Sequence, residues 1–164
     1  MALIVCIGNE LVADDAVGFE VHARLAQRIS PEVRLSYCGV GGLVLLDLLD
    51  GTETAMIVVD AVSLGAPVGT VHRMMLDELP VNSANPISAH GIGLRETMEI
   101  GAALYPERMP QFVALVGVEG RCFDLPREHM SPEVSAATED AVDAVLALLR
   151  REAVGGALRR TGAA

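Results

Sequence analysis

Lysine is missing altogether: all 12 cationic side chains are arginine, a composition bias rather than a functional device. Tryptophan is missing too, and aromatic residues make up 3% of the chain. That is too few for an aromatic-lined cofactor pocket or a platform on which nucleic-acid bases stack. Three cysteines, Cys6, Cys38 and Cys122, form no C-x-x-C pair, which argues against a disulfide scaffold and a thiolate zinc site. Positive charge is scarce: a net charge of −10 repels phosphate backbones and sets nucleic acid aside as a partner, while a basic peptide would be welcome. No apolar run approaches the ~20 residues of a membrane helix, so no membrane partner is expected. The N-terminus has no basic region before its apolar run and no small-residue cleavage site. A signal peptide is therefore not expected, and the cytoplasm is the expected compartment.

What is present is a chain of 164 residues, half of them hydrophobic, long enough to bury one substantial core. A single α/β domain is expected over residues 1–152, with a flexible tail over 153–164. The apolar run Ala2 to Ile7 reads as a buried strand. Val17, Val21, Leu25 and Ile29 then recur at helical spacing with Arg24 and Arg28 facing outward. Val33 to Tyr37 reads as a second strand, Leu43 to Leu49 as a short buried helix, and Thr54 to Val62 as holding a central strand covered on both faces. Thr70 to Leu76 reads as another strand. The link before it is too short for a helical crossover, so it should run antiparallel at an edge. A helix ending near Leu104, a strand from Phe112 to Val118 and a helix opened by Ser131-Pro132-Glu133 complete the order. This order predicts a three-layer α/β/α sandwich around a five-stranded, mostly parallel sheet with one antiparallel edge strand.

Three side chains stand at places where such folds bind ligands: Asp15 after the first strand, Asp60 at the carboxyl end of the central strand, and His90 in a glycine-flanked loop before a helix. Asp14 and Asp15 also suit the positive end of a helix dipole, so a capping role stays open for both. No glycine pattern matches the G-x-G-x-x-G phosphate loop. His72 reads as a surface or packing residue. If the first and third strands are neighbours, their ends bring Asp15 and Asp60 together, and the His90 loop can close over the same edge. Two carboxylates and an imidazole suit a divalent ion such as nickel or zinc.

The motifs Gly8-Asn9-(five residues)-Asp15-Ala16-Val17-Gly18, Asp60-Ala61, Ile87-Ser88-Ala89-His90 and Leu115-Val116-Gly117-Val118 resemble those of the nickel–iron hydrogenase maturation endopeptidases. The likeness runs from about residue 3 to 150, with the motifs in order. It implies a phosphorylase/hydrolase-like version of the sandwich. It also implies an activity: removal of the C-terminal extension from a hydrogenase large-subunit precursor. The family's metal-contacting positions fall on Asp15, Asp60 and His90, which become the expected metal-binding and catalytic set. Nickel would arrive with the substrate rather than reside in the enzyme. One departure stands out: where many members carry Asp-Gly-Gly-Thr, this chain reads Tyr37-Cys38-Gly39-Val40.

Two other readings compete. A metallohydrolase with its own zinc is disfavoured by the absence of H-E-x-x-H and a total of 4 histidines. A nickel-binding maturation chaperone would bind without cleaving. An acidic surface near Glu10 and Asp14 is expected to suit a basic cleavage region.

Overall fold

The structure, a computed structural model, describes residues 1–79 and 93–161. Five strands form one sheet: β1 (Ala2–Ile7), β2 (Arg34–Cys38), β3 (Ala55–Val62), β4 (Val71–Met75) and β5 (Phe112–Glu119), in the order β2-β1-β3-β5-β4. All neighbours are parallel except β4 and β5. The antiparallel edge strand is thus where the short 63–70 connection requires it. β3 is buried along its whole length, as a central strand covered on both faces must be.

The helices are α1 (Val17–Leu25), α2 (Val44–Asp47), α3 (Leu94–Leu104) and α4 (Pro132–Thr161). Ile4, Cys6, Ile57, Val59, Ala114 and Val116 meet α1 and α4 on one face of the sheet. Leu3, Val5, Met56, Val58 and Leu115 meet α2 and α3 on the other. The period of two along each strand divides the core into these two layers, giving the expected α/β/α sandwich.

Several bounds shift. β2 runs one residue later than the sequence predicts, because the Cys38 carbonyl accepts from the Gly8 amide at 3.1 Å and holds the strand one step further along β1. α2 is shorter than Leu43–Leu49: Leu48 and Leu49 donate to carbonyls three residues back, so its end tightens out of α geometry. α1 stops at Leu25, although Ile29 still packs against the core. α4 continues through residues 153–161, the stretch the sequence assigns to a tail. No helix among the described residues is long and apolar enough to cross a membrane.

Two glycines let the chain fold back on itself after β1. A Cβ on Gly18, in the first turn of α1, would lie 1.8 Å from the Ile7 carbonyl oxygen. Gly8 has φ +139°, and a Cβ there would lie 2.1 Å from the Asp15 carbonyl oxygen. Only glycine permits so close a crossing of backbones. Between them, the turn Asp14–Ala16 packs against β3.

Asp14 then ties this corner to the far end of the chain. It is fully buried, which corrects the expectation that it contributes to an acidic surface; Glu10 alone of that pair is exposed. Nor does either aspartate cap a helix: no side chain caps the Asp14–Ala16 turn or α1. Instead Asp14 Oδ2 accepts from the amides of Arg121 (2.8 Å) and Cys122 (2.9 Å) and from the Ser131 hydroxyl (2.9 Å). Its Oδ1 accepts from the Ser131 amide at 2.6 Å. One carboxylate thereby joins the loop after β1, the loop after β5 and the start of α4. At the opposite rim Arg34 pairs with buried Glu53 at 2.7 Å.

Asp14→Asn tests the clamp. Either amide orientation turns an N–H₂ group toward protein donors, so unfolding stability should fall by about 3 kcal/mol, in the range for breaking a buried charged contact. The urea midpoint reads this directly; a loss below about 0.5 kcal/mol, the scale of a neutral surface change, would refute it.

Candidate active site

The loop after β1 is short and heavily tied. Asn9 Oδ1 accepts from the Leu11 amide at 3.0 Å, and the Asn9 carbonyl accepts from Val12 at 3.0 Å, a local turn that asparagine favours. The far side of the loop pairs with residues 125–127. Val12 bridges Pro126, Ala13 donates to the Leu125 carbonyl and Arg127 donates to the Leu11 carbonyl. The Arg127 side chain lies over the Phe19 ring, 5.1 Å from its centre, and pairs with Glu20.

Asp15 emerges from this fastened loop with 5% of its surface exposed. Its Oδ2 accepts from the Asn9 amide at 2.8 Å. A backbone donor to an ionised carboxylate is a strong hydrogen bond, and it fixes which way the second oxygen faces.

Asp60 stands on the adjacent strand, 3% exposed. The last β1–β3 pair joins Cys6 to Val59, so Asp60 and the Ile7–Gly8 corner reach the same carboxyl rim of the sheet. The Asp14–Ala16 turn, which carries Asp15, packs against β3, which carries Asp60. His90 lies outside the described residues. Among those described, no three histidine, cysteine, aspartate or glutamate side chains are gathered to hold a metal ion.

Across the sheet from Asp60 the same row continues through Gly117 of β5 to His72 of β4. A Cβ on Gly117 would stand 2.9 Å from either methyl of Val62, so this part of the row carries no side chain. Next to it, Glu119 is 2% exposed and well satisfied. Its Oε1 accepts from the Leu64 and Gly65 amides, both at 2.8 Å, and its Oε2 meets His72 Nε2 at 2.9 Å. Glu119 thus binds the 63–70 connection to the rim. His72 is a partner of that carboxylate rather than a lone packing residue. Glu119 closes the apolar run of β5, and a carboxylate at the end of a buried strand is the one signal that could have singled it out.

The cysteines do not converge. Cys6 faces the α1/α4 layer and Cys38 the α2/α3 layer, and all three thiols are free. Burial pushes the Cys6 thiol far above its ordinary value, with Cys38 adding to the shift, and burial also raises Cys38. A thiol whose pKa is raised is a poor nucleophile near neutrality. The rim therefore offers oxygen donors: two buried carboxylates able to take a proton from water or to hold a divalent ion of intermediate softness.

Comparison with known proteins identifies the family that this fold belongs to. A family model described as hydrogenase maturation protease matches residues 19–148. The hydrogenase 2 maturation protease of Escherichia coli K12 is 31% identical over 154 residues, covering 93% of this chain and 92% of the relative. The hydrogenase expression/formation protein HoxM of Cupriavidus necator is 31% identical, covering 92% of this chain and 75% of its own length. Among solved structures, the hydrogenase maturating endopeptidase HybD from E. coli superposes with a TM-score of 0.75 at 28% identity, covering 92% of this chain and 93% of that one. The nickel–iron hydrogenase maturation protease HybD from Thermococcus kodakarensis gives 0.69 at 25% identity, covering 90% and 97%. Matched over most of its length by a family model, by curated relatives and by solved structures, the chain belongs to the hydrogenase maturation proteases and is an endopeptidase of that family.

Proposed function

We propose that this endopeptidase removes the C-terminal extension of a nickel–iron hydrogenase large-subunit precursor, and that it recognises nickel already seated in that substrate through Asp15, Asp60 and His90. The observation that carries the proposal is a pair of buried carboxylates, Asp60 on β3 and Asp15 in the Asp14–Ala16 turn that packs against β3, in a chain of this family. Oxygen and imidazole donors bind nickel more weakly than thiolates do, so such a set grips a metal presented by a partner without stripping it away. Cleavage would then wait for metal insertion. One of the two carboxylates deprotonates or orients the attacking water, the work for which a positioned carboxylate serves as general base. The cytoplasm is the compartment we assign, in keeping with three free cysteines.

Incubation of nickel-loaded and nickel-free precursor with the protein, followed on a gel, tests the proposal. The loaded form should shorten and the nickel-free form should not; equal cleavage of both would end the nickel-recognition reading. Asp15→Asn, Asp60→Asn and His90→Ala should each slow processing at least ~100-fold, the lower end of what a general base contributes. Their circular dichroism should stay that of the parent. A variant that processes at the parental rate removes its residue from the site. Cys38→Ser should process normally, since burial disfavours the thiolate; a dead variant would point instead to thiol chemistry.

A further inference from the structure

Position 37 is where this chain departs from the pattern its motifs otherwise follow, and the tyrosine there touches the candidate site. Tyr37 lies on β2 facing α1. Its hydroxyl donates to the Gly8 carbonyl at 2.5 Å and accepts from the Glu10 amide at 3.2 Å. Those two groups bracket Asn9, whose amide donates to Asp15 Oδ2 at 2.8 Å. One hydroxyl therefore fixes both peptide units that flank the residue holding Asp15. The ring is held in turn by the helix that follows Asp15. Phe19 meets it edge-on at 5.5 Å and 76°, and His22 lies 5.8 Å away.

We propose that Tyr37 is a positioning residue for Asp15: by setting the Gly8–Glu10 turn it aims the Asn9 amide at Asp15 Oδ2 and so determines the orientation of the carboxylate. The inference rests on the reading of Asp15 as a carboxylate of the reacting site. The phenol is suited to the task. Burial raises its pKa above the ordinary tyrosine value, so it keeps the proton that it donates to Gly8. Glu10 is exposed, so water can replace the lost partner at its amide if the hydroxyl is removed. The consequence of removal is then a looser turn rather than an unfolded one. Displacements of this kind near a reacting group cost rate out of proportion to stability.

Tyr37→Phe keeps the ring and deletes the two hydrogen bonds. Kinetics of cleavage of the nickel-loaded precursor should show kcat reduced about tenfold, within the ~100-fold that a 1 Å misplacement can cost. KM should change by less than about twofold, as expected when an interaction acts on the chemical step. Amide hydrogen exchange at Asn9 should be at least about tenfold faster in the variant, the local opening that a lost tie permits. Glu53→Gln, which weakens the Arg34 pair at the opposite rim, supplies the control for stability alone and should leave kcat unchanged. An unchanged kcat in Tyr37→Phe, an unchanged Asn9 exchange rate, or an equal fall of kcat in Glu53→Gln would each overturn the proposal. A parental protein that leaves the precursor uncut would overturn the endopeptidase assignment instead, and the Asn9 exchange rate would still judge the Tyr37 tie.

Discussion

A buried carboxylate, Asp14, fastens the near side of the candidate rim. Asp14 has no exposed surface, and its four hydrogen bonds are what make burial of so polar a group tolerable. Those bonds come from residues more than a hundred positions away in sequence. They draw the β5–α4 connection against the loop after β1, so that the loop carrying Asp15 cannot move independently of the last strand. A buried charge with satisfied partners is a costly way to gain stability. It is an effective way to impose one arrangement, because every alternative leaves a donor or an acceptor unmet.

The two adjacent aspartates thus do different work. Asp14 faces inward and is consumed by the clamp. Asp15, one residue on, accepts at Oδ2 from the Asn9 amide within its own loop. The glycines at 8 and 18 make the division possible by letting the Asp15 backbone and the first turn of α1 pass within contact of β1. Glu119 does for the far side of the rim what Asp14 does for the near side: it ties the β3–β4 connection and His72 to the end of β5. The loops on either side of the candidate carboxylates are therefore both anchored, and such anchoring limits how far the backbone around them can shift.

Much of this was legible in the residues. Helical spacing, apolar runs and the short link before β4 led to the sheet and its antiparallel edge, because those signals are local and periodic. Asp15 and Asp60 could be singled out as candidates because one follows the first strand and the other ends the central one, the places where α/β sheets bind ligands. Element ends were less legible: Cys38 belongs to β2 because the amide of Gly8, just past the end of β1, donates to its carbonyl, a pairing that no local preference encodes. The capping reading of Asp14 was a sound use of its position beside a helix, and it failed because four donors elsewhere in the chain compete for the same oxygens and win.

By itself the sequence determined the layers of the fold, the family and the identities of the candidate acids, since each is written in spacing or in motifs that survive along one dimension. The role of Asp14 as the clamp, the union of Glu119 with His72, and the reach of Tyr37 across to the Gly8–Glu10 turn were decided only when the chain closed on itself. Each depends on a donor and an acceptor far apart in sequence arriving within 3.2 Å of one another. Such a meeting is a property of the packed molecule, because burial removes the water that would otherwise satisfy either group alone.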